Sequence, residues 1–185
     1  MKKFILASFA FLGFATVSAQ STDNVTLNVK LKPVQTLVVN PTQKTVDLVY
    51  DSKAKYAAGV SSEQDNHLTV YSTGGFEVKV KAAAANMSTT VNGTTKTIDT
   101  NSIKVVAAAA STNPVGNATY APAVALSATD TSLLTATSGG VNKNIKVTYS
   151  GANLDAYVDN YIADSTNSGA ETVYTTTVTY TIFAK

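Results

Sequence analysis

The sequence predicts an all-β protein, a two-sheet antiparallel sandwich with one short helix near its C-terminal end, and three observations carry that expectation. Apolar and polar residues alternate with period two over many short runs, as in strands with one buried face. Turn residues, among them Gly74-Gly75, Asn92-Gly93 and Gly139-Gly140, separate those runs at short intervals. Helical spacing is clear only once, between Asn153 and Ala163. About eight to ten short strands with so little helix fit two packed sheets, each lending one face to a shared core, with a closed barrel as the alternative.

Residues 1–19 read as a signal peptide, removed to leave a single domain over 20–185. Lys2 and Lys3 give a positive start, residues 4–14 a mostly apolar run, and Val17-Ser18-Ala19 a small-residue cleavage pattern. Ser8, Gly13 and Thr16 interrupt the run before it reaches the roughly twenty apolar residues of a membrane span. The chain has no cysteine, so no thiol is present for lipid attachment.

In residues 25–31, Val25, Leu27, Val29 and Leu31 share one face and Thr26, Asn28 and Lys30 the other, the pattern of a half-buried strand. Pro33 cannot donate to a central ladder and marks a kink or sheet switch before a short strand over 37–39. Val46, Leu48 and Tyr50 give the next strand, and 51–66 a loop or short helical turn. Leu68 and Val70 open a strand that ends at Gly74-Gly75, after which Phe76, Val78 and Val80 alternate with Glu77, Lys79 and Lys81. The double glycine therefore reads as a tight hairpin turn.

Asn92-Gly93 predicts a second hairpin, because both residues tolerate the positive φ of a two-residue turn. A strand over 103–106 follows, then a surface loop over 111–122 rich in Asn, Gly, Pro and Thr. Strands over 133–137 and 145–149 flank Gly139-Gly140 and repeat the earlier arrangement. Asn153 is placed to cap a short helix carrying Leu154, Tyr157, Val158, Tyr161 and Ile162. A final strand over 172–183 sets Tyr174, Val178, Tyr180 and Ile182 opposite Thr175, Thr177, Thr179 and Thr181, and is expected deep in the fold.

Composition restricts the function classes. All 14 basic residues are lysine, scattered along the chain, which argues against nucleic acid: phosphate recognition favours a concentrated basic face and the planar fork of arginine. Without Lys2 and Lys3, twelve lysines face twelve acids, and the charge is near zero. The absence of cysteine excludes disulfides and thiolate zinc sites.

His67 is the only imidazole and is expected at a strand entrance with its ring at the surface. No serine sits in a Gly-x-Ser-x-Gly context, so neither a catalytic triad nor a histidine-based metal centre has its parts. Asp155, Asp159 and Asp164 match no calcium loop, and the first two are expected on the exposed face of the helix. Neither an enzyme nor a cofactor is expected. Of nine tyrosines, Tyr56, Tyr120, Tyr157 and Tyr161 fall in loops or on the helix and are the candidate ligand contacts, since a phenol ring stacks on a sugar or protein and hydrogen-bonds at its tip.

A Lys-Lys start that ends Ser18-Ala19-Gln20, Gly74-Gly75-Phe76 leading into Val78 and Val80, and the terminal Val178-Thr179-Tyr180-Thr181-Ile182 resemble features of small secreted surface proteins of Bacteroidota. The terminal strand is similar in style to the Ig-like sandwiches of pilin-like and WxL-like proteins, although the Trp-x-Leu motif, the pilin disulfide and an acylated cysteine are absent. The resemblance implies adhesion, assembly or cell-wall attachment. The expected function is an exported, non-enzymatic structural or adhesive protein acting through protein contacts, placed extracellularly, at the cell surface or in the periplasm. The alternative is a glycan- or peptidoglycan-binding module of the envelope. No transmembrane segment is expected after signal removal, and the oligomeric state stays open. Convergence of the four tyrosines on a cleft would favour a glycan, whereas an open sheet edge or a flat apolar patch would favour assembly.

Overall fold

The computed structural model describes residues 20–167 and 169–185. The signal-peptide reading of residues 1–19 lies outside the described residues. The chain divides after Leu31 into two units, Met1–Leu31 and Lys32–Lys185.

In the first unit, residues 20–31 join no ladder, and Val25, Leu27, Val29 and Leu31 are 91, 84, 76 and 90% exposed. The half-buried strand expected there is corrected: the alternation is present, but among the described residues these positions take part in no ladder. Period two prepares a face for burial without supplying the surface that buries it.

In chain order, the eleven strands among the described residues are β1 (Gln35–Val39), β2 (Ser61–Ser72), β3 (Phe76–Ala82), β4 (Asn86–Val91), β5 (Thr94–Asp99), β6 (Lys104–Ala109), β7 (Ala118–Tyr120), β8 (Val124–Ala125), β9 (Thr131–Ala136), β10 (Gly140–Ser150) and β11 (Val178–Ala184). They form a five-stranded sheet of order β1-β2-β10-β6-β8, a four-stranded sheet of order β11-β3-β9-β7, and the hairpin β4-β5. Every strand pair in them is antiparallel. Leu68, Val70, Val105, Ile145 and Val147 from the first sheet meet Phe76, Val78, Val80, Leu134 and Ala136 from the second in one buried cluster, giving the all-β, sandwich-like fold.

The two double glycines act differently from the expected hairpin turn. β2 and β3 lie in different sheets, as do β9 and β10, so both glycine pairs are corners where the chain crosses from one sheet to the other. The corners pack on each other: a Cβ on Gly139 would run into the Ser72 carbonyl oxygen and lie 2.8 Å from the Gly74 nitrogen, and one on Gly75 would lie 3.0 Å from the Ala136 carbonyl oxygen. Glycine is needed there for the close approach of two backbones. The Asn92-Gly93 turn does form the expected hairpin, with φ of 48° and 77°.

Three further expectations are corrected. Residues 153–163 form turns and a three-residue 3-10 element, Val158–Asn160, because Leu154 and Asp155 take φ of 56° and 58°, incompatible with a right-handed helix. Of the stretch 51–66, read as a loop or short helical turn, the helical turn is present as α1 (Lys53–Ala58), the one α-helix among the described residues, but from Ser61 onward the residues belong to β2. The terminal strand pairs only over Val178–Ala184 and lies at a sheet edge, half-buried, rather than deep in the fold.

Candidate functional site

Of the four candidate tyrosines, two come together on a fifth residue, Tyr50. Tyr56, on α1, and Tyr157 both pack on Tyr50, with ring centroids 5.3 Å and 5.2 Å away. Tyr50 donates to the Ala152 carbonyl at 2.7 Å, and burial, reinforced by Tyr157, pushes its phenol up to about 12. The three rings are half-buried and packed together through Tyr50. Tyr120 lies on β7 rather than in a loop, and its buried hydroxyl has no hydrogen-bond partner among the described residues. Tyr161 is exposed, and its hydroxyl donates to the Ala170 carbonyl at 3.3 Å. A shallow depression of about 520 Å³ beside Gly59, Ser61, Ser102, Lys104 and Ser150 is lined by none of the four.

His67 is buried, not at the surface. The cause is a bulge: Ile145 pairs with Leu68 but Val147 with Gln64, so β2 carries extra residues here, and Asn66 turns through φ 51°. His67 and Leu68 both end up inside, which strict alternation forbids. The Gln43 amide nitrogen is committed to the Asp65 carbonyl at 2.9 Å, so its oxygen accepts from His67 Nδ1–H at 3.1 Å. His67 Nε2 then accepts from the Tyr149 hydroxyl at 2.8 Å, and Tyr149 accepts from Tyr180. Burial holds the imidazole below its usual pKa and pushes both phenols up; at Tyr180 the charge interaction with Tyr149, and then the hydrogen bond it donates there, push in the same direction. The network ties β2, β10 and β11 together with both ring nitrogens occupied.

Asp155 sits in a turn, and Asp164 accepts from the Thr166 hydroxyl at 2.7 Å and the Asn92 amide at 3.0 Å, which with the Thr166 N–H holds its carboxyl at about 2. Among the described residues no group of three or more His, Cys, Asp or Glu could hold a metal ion. No described helix is long and apolar enough to cross a membrane, which says nothing of a β-barrel.

What stands out is unused strand-forming capacity. Besides residues 25–31, residues 44–50 alternate between half-buried Val46, Leu48, Tyr50 and exposed Thr45, Asp47, Val49, yet no backbone–backbone hydrogen bond among the described residues reaches them. The strand expected there is therefore corrected to an unpaired run. Residues 172–177 continue the alternation of β11 towards its start, again outside any ladder. Each run is continuous in sequence with the flank where the edge strands β1 and β11 approach each other, the first following β1 through the 3-10 turn Pro41–Gln43, the second leading into β11.

No known family and no curated protein matches the chain. The sequence pointed to the tyrosines; the unpaired flank carried a signal only in the alternation of 44–50 and 172–183, because whether a strand finds a neighbour depends on the whole topology.

Proposed function

We propose that this chain is an exported, non-enzymatic structural or adhesive protein of the cell surface that works through protein contacts made by strand addition. The observation that supports this reading most directly is the exposed apolar face of residues 25–31. Burying one such side chain is worth about 1.5–3 kcal/mol, so four represent on the order of 6–12 kcal/mol before the cost of association is subtracted. An isolated soluble chain gains nothing from arranging four large aliphatics on one side of a polar segment; a partner sheet gains main-chain hydrogen bonds and pockets for alternate side chains. The tyrosines support the glycan alternative less well, because three of the four are half-buried and do not share a cleft.

Size-exclusion chromatography of the mature protein, set beside a pull-down on purified cell wall, tests the reading. Assembly, or capture of a protein partner that is lost when residues 20–31 are deleted, is the expected result. A strict monomer that sediments with cell wall regardless of that deletion would overturn it in favour of the glycan module.

A further inference from the structure

Beyond the protein-contact reading, and independent of it, we propose that the depression beside Ser61, Lys104 and Ser150 binds an acidic oligosaccharide, Lys104 taking the carboxylate of one sugar unit and the serines its ring hydroxyls.

The register of the five-stranded sheet builds the floor. Ser150 pairs with Ser61 on one side and with Lys104 on the other, so the three side chains stand in a row across β2, β10 and β6. Tyr149 and Val105, each one position away, belong to the core, which turns that row to the outer face of the sheet. The Ser61 and Ser150 hydroxyls and the amide of neighbouring Asn153 engage no protein group among the described residues. Lys104 spends one donor on the Asn101 carbonyl at 3.2 Å and pairs with no carboxylate among those residues. In the adjacent row Glu63 is held by Lys146 at 3.2 Å, so the ammonium of Lys104 is the uncompensated charge of the site. Hydroxyls and an amide that both donate and accept match the alternating demands of a polyhydroxylated ring, and one compact ammonium among neutral groups suits a singly charged carboxylate.

The walls are fixed by backbone bonds. The Gly151 N–H donates to the Val60 carbonyl and the Leu154 N–H to the Ala57 carbonyl, both at 2.9 Å, and the Asp155 N–H donates to the Tyr56 carbonyl at 3.0 Å, lacing the turn after β10 to α1 and the residues that follow it. Gly59, at φ 79°, completes the seam: a Cβ there would lie 3.1 Å from the Gly151 carbonyl oxygen. A volume of about 520 Å³ is ample for a sugar unit, and walls set in advance lower the ordering cost of binding. Ser102, hydrogen-bonded to the Tyr157 hydroxyl, also borders a second depression of about 260 Å³, edged by Thr97, Asn101, Tyr157 and Asn160. Two polar hollows that share a rim residue fit consecutive units of a chain better than one compact ligand. Asp99 in the second hollow repels an anion there and leaves the acidic unit to Lys104 in the first.

The test follows backbone amide shifts of the isotope-labelled mature protein as trigalacturonate, N-acetylmuramic acid, uncharged cellotriose or inorganic phosphate is added. At least one of the two acidic sugars should move the amides of Gly59, Ser61, Lys104 and Ser150 and bind about tenfold or more tighter than cellotriose, the margin of one charge-assisted hydrogen bond. Which of the two binds separates a uronic-acid polymer from peptidoglycan as the source of the carboxylate. Lys104→Gln should weaken that binding about tenfold and leave cellotriose unaffected, whereas Ser150→Val should weaken both. If Ser150→Val does not fold, Ser61→Ala takes its place. Deleting residues 20–31 should leave the titration unchanged whether or not it abolishes protein contacts, so the two readings stand or fall separately. Unmoved amides with both acidic sugars, equal affinity for charged and uncharged sugars, shifts that survive Lys104→Gln, or shifts that inorganic phosphate reproduces at the same concentration would each overturn the inference.

Discussion

At the scale of single residues, His67 shows how a polar group is made tolerable in an apolar core. A buried imidazole with an unmatched nitrogen would cost about 1–3 kcal/mol; here Gln43 and Tyr149 occupy both nitrogens, and the donor–acceptor order fixes the neutral ring with its proton on Nδ1. Burial keeps the folded pKa below the unfolded value. The unfolded chain therefore takes up a proton at a pH where the folded chain refuses it. The resulting contribution to stability is fully present above the unfolded pKa of about 6.5 and is lost as the pH falls through that value towards the lower folded one. His67 is the only histidine, so no other side chain of ordinary pKa titrates between pH 5 and 7.5. Urea midpoints should fall over that interval by up to about 1.4 kcal/mol per pH unit, and a His67→Gln variant, less stable at pH 7.5, should show a flat profile. A wild-type profile that is flat, or that rises on acidification, would contradict the buried neutral ring.

At the scale of elements, the paired corners at Gly74-Gly75 and Gly139-Gly140 hold the two sheets in register, and they respond unequally to substitution. Gly139→Ala drives a methyl group into the Ser72 carbonyl and the Gly74 nitrogen, both backbone atoms that cannot swing aside. Gly74→Ala meets nothing within 4 Å. The first should cost about 2–4 kcal/mol and the second stay within about 0.5 kcal/mol, as read from denaturant unfolding. Equal effects would mean that the corners do not touch. These elements also show what the sequence discloses and what it withholds. Asn92-Gly93 was legible as a hairpin because its turn geometry is a property of two adjacent residues. Gly74-Gly75 offered the same local cue, but a hairpin and a sheet-to-sheet corner differ only in what lies across the turn. The helix expected over 153–163 had the right apolar spacing and lost to two left-handed residues, Leu154 and Asp155. His67 was misplaced by one bulge, and the tyrosines were identifiable as amphipathic groups without any sign that Tyr50 would absorb Tyr56 and Tyr157.

At the scale of the whole molecule, stability and assembly should reside in different parts of the chain. With no disulfide available, the fold over Lys32–Lys185 rests on the cluster around Leu68, Phe76, Val78, Leu134 and Ile145, each essentially without solvent exposure. Leu68→Ala leaves a cavity between the sheets and should cost about 2–5 kcal/mol. Val25, Leu27, Val29 and Leu31 have comparable aliphatic bulk, but they are at least 76% exposed and so contribute little to the folding of the monomer. The paired change Leu27→Asp with Val29→Asp should therefore leave the denaturant midpoint within about 0.5 kcal/mol of wild type at concentrations where the protein is dilute and monomeric. As concentration rises, the wild-type midpoint should climb and that of the variant should not, because binding to the folded state alone adds stability by mass action. A large loss of stability in the dilute variant would show that residues 25–31 are already part of the monomer's core, and the strand would then belong to folding rather than to recognition.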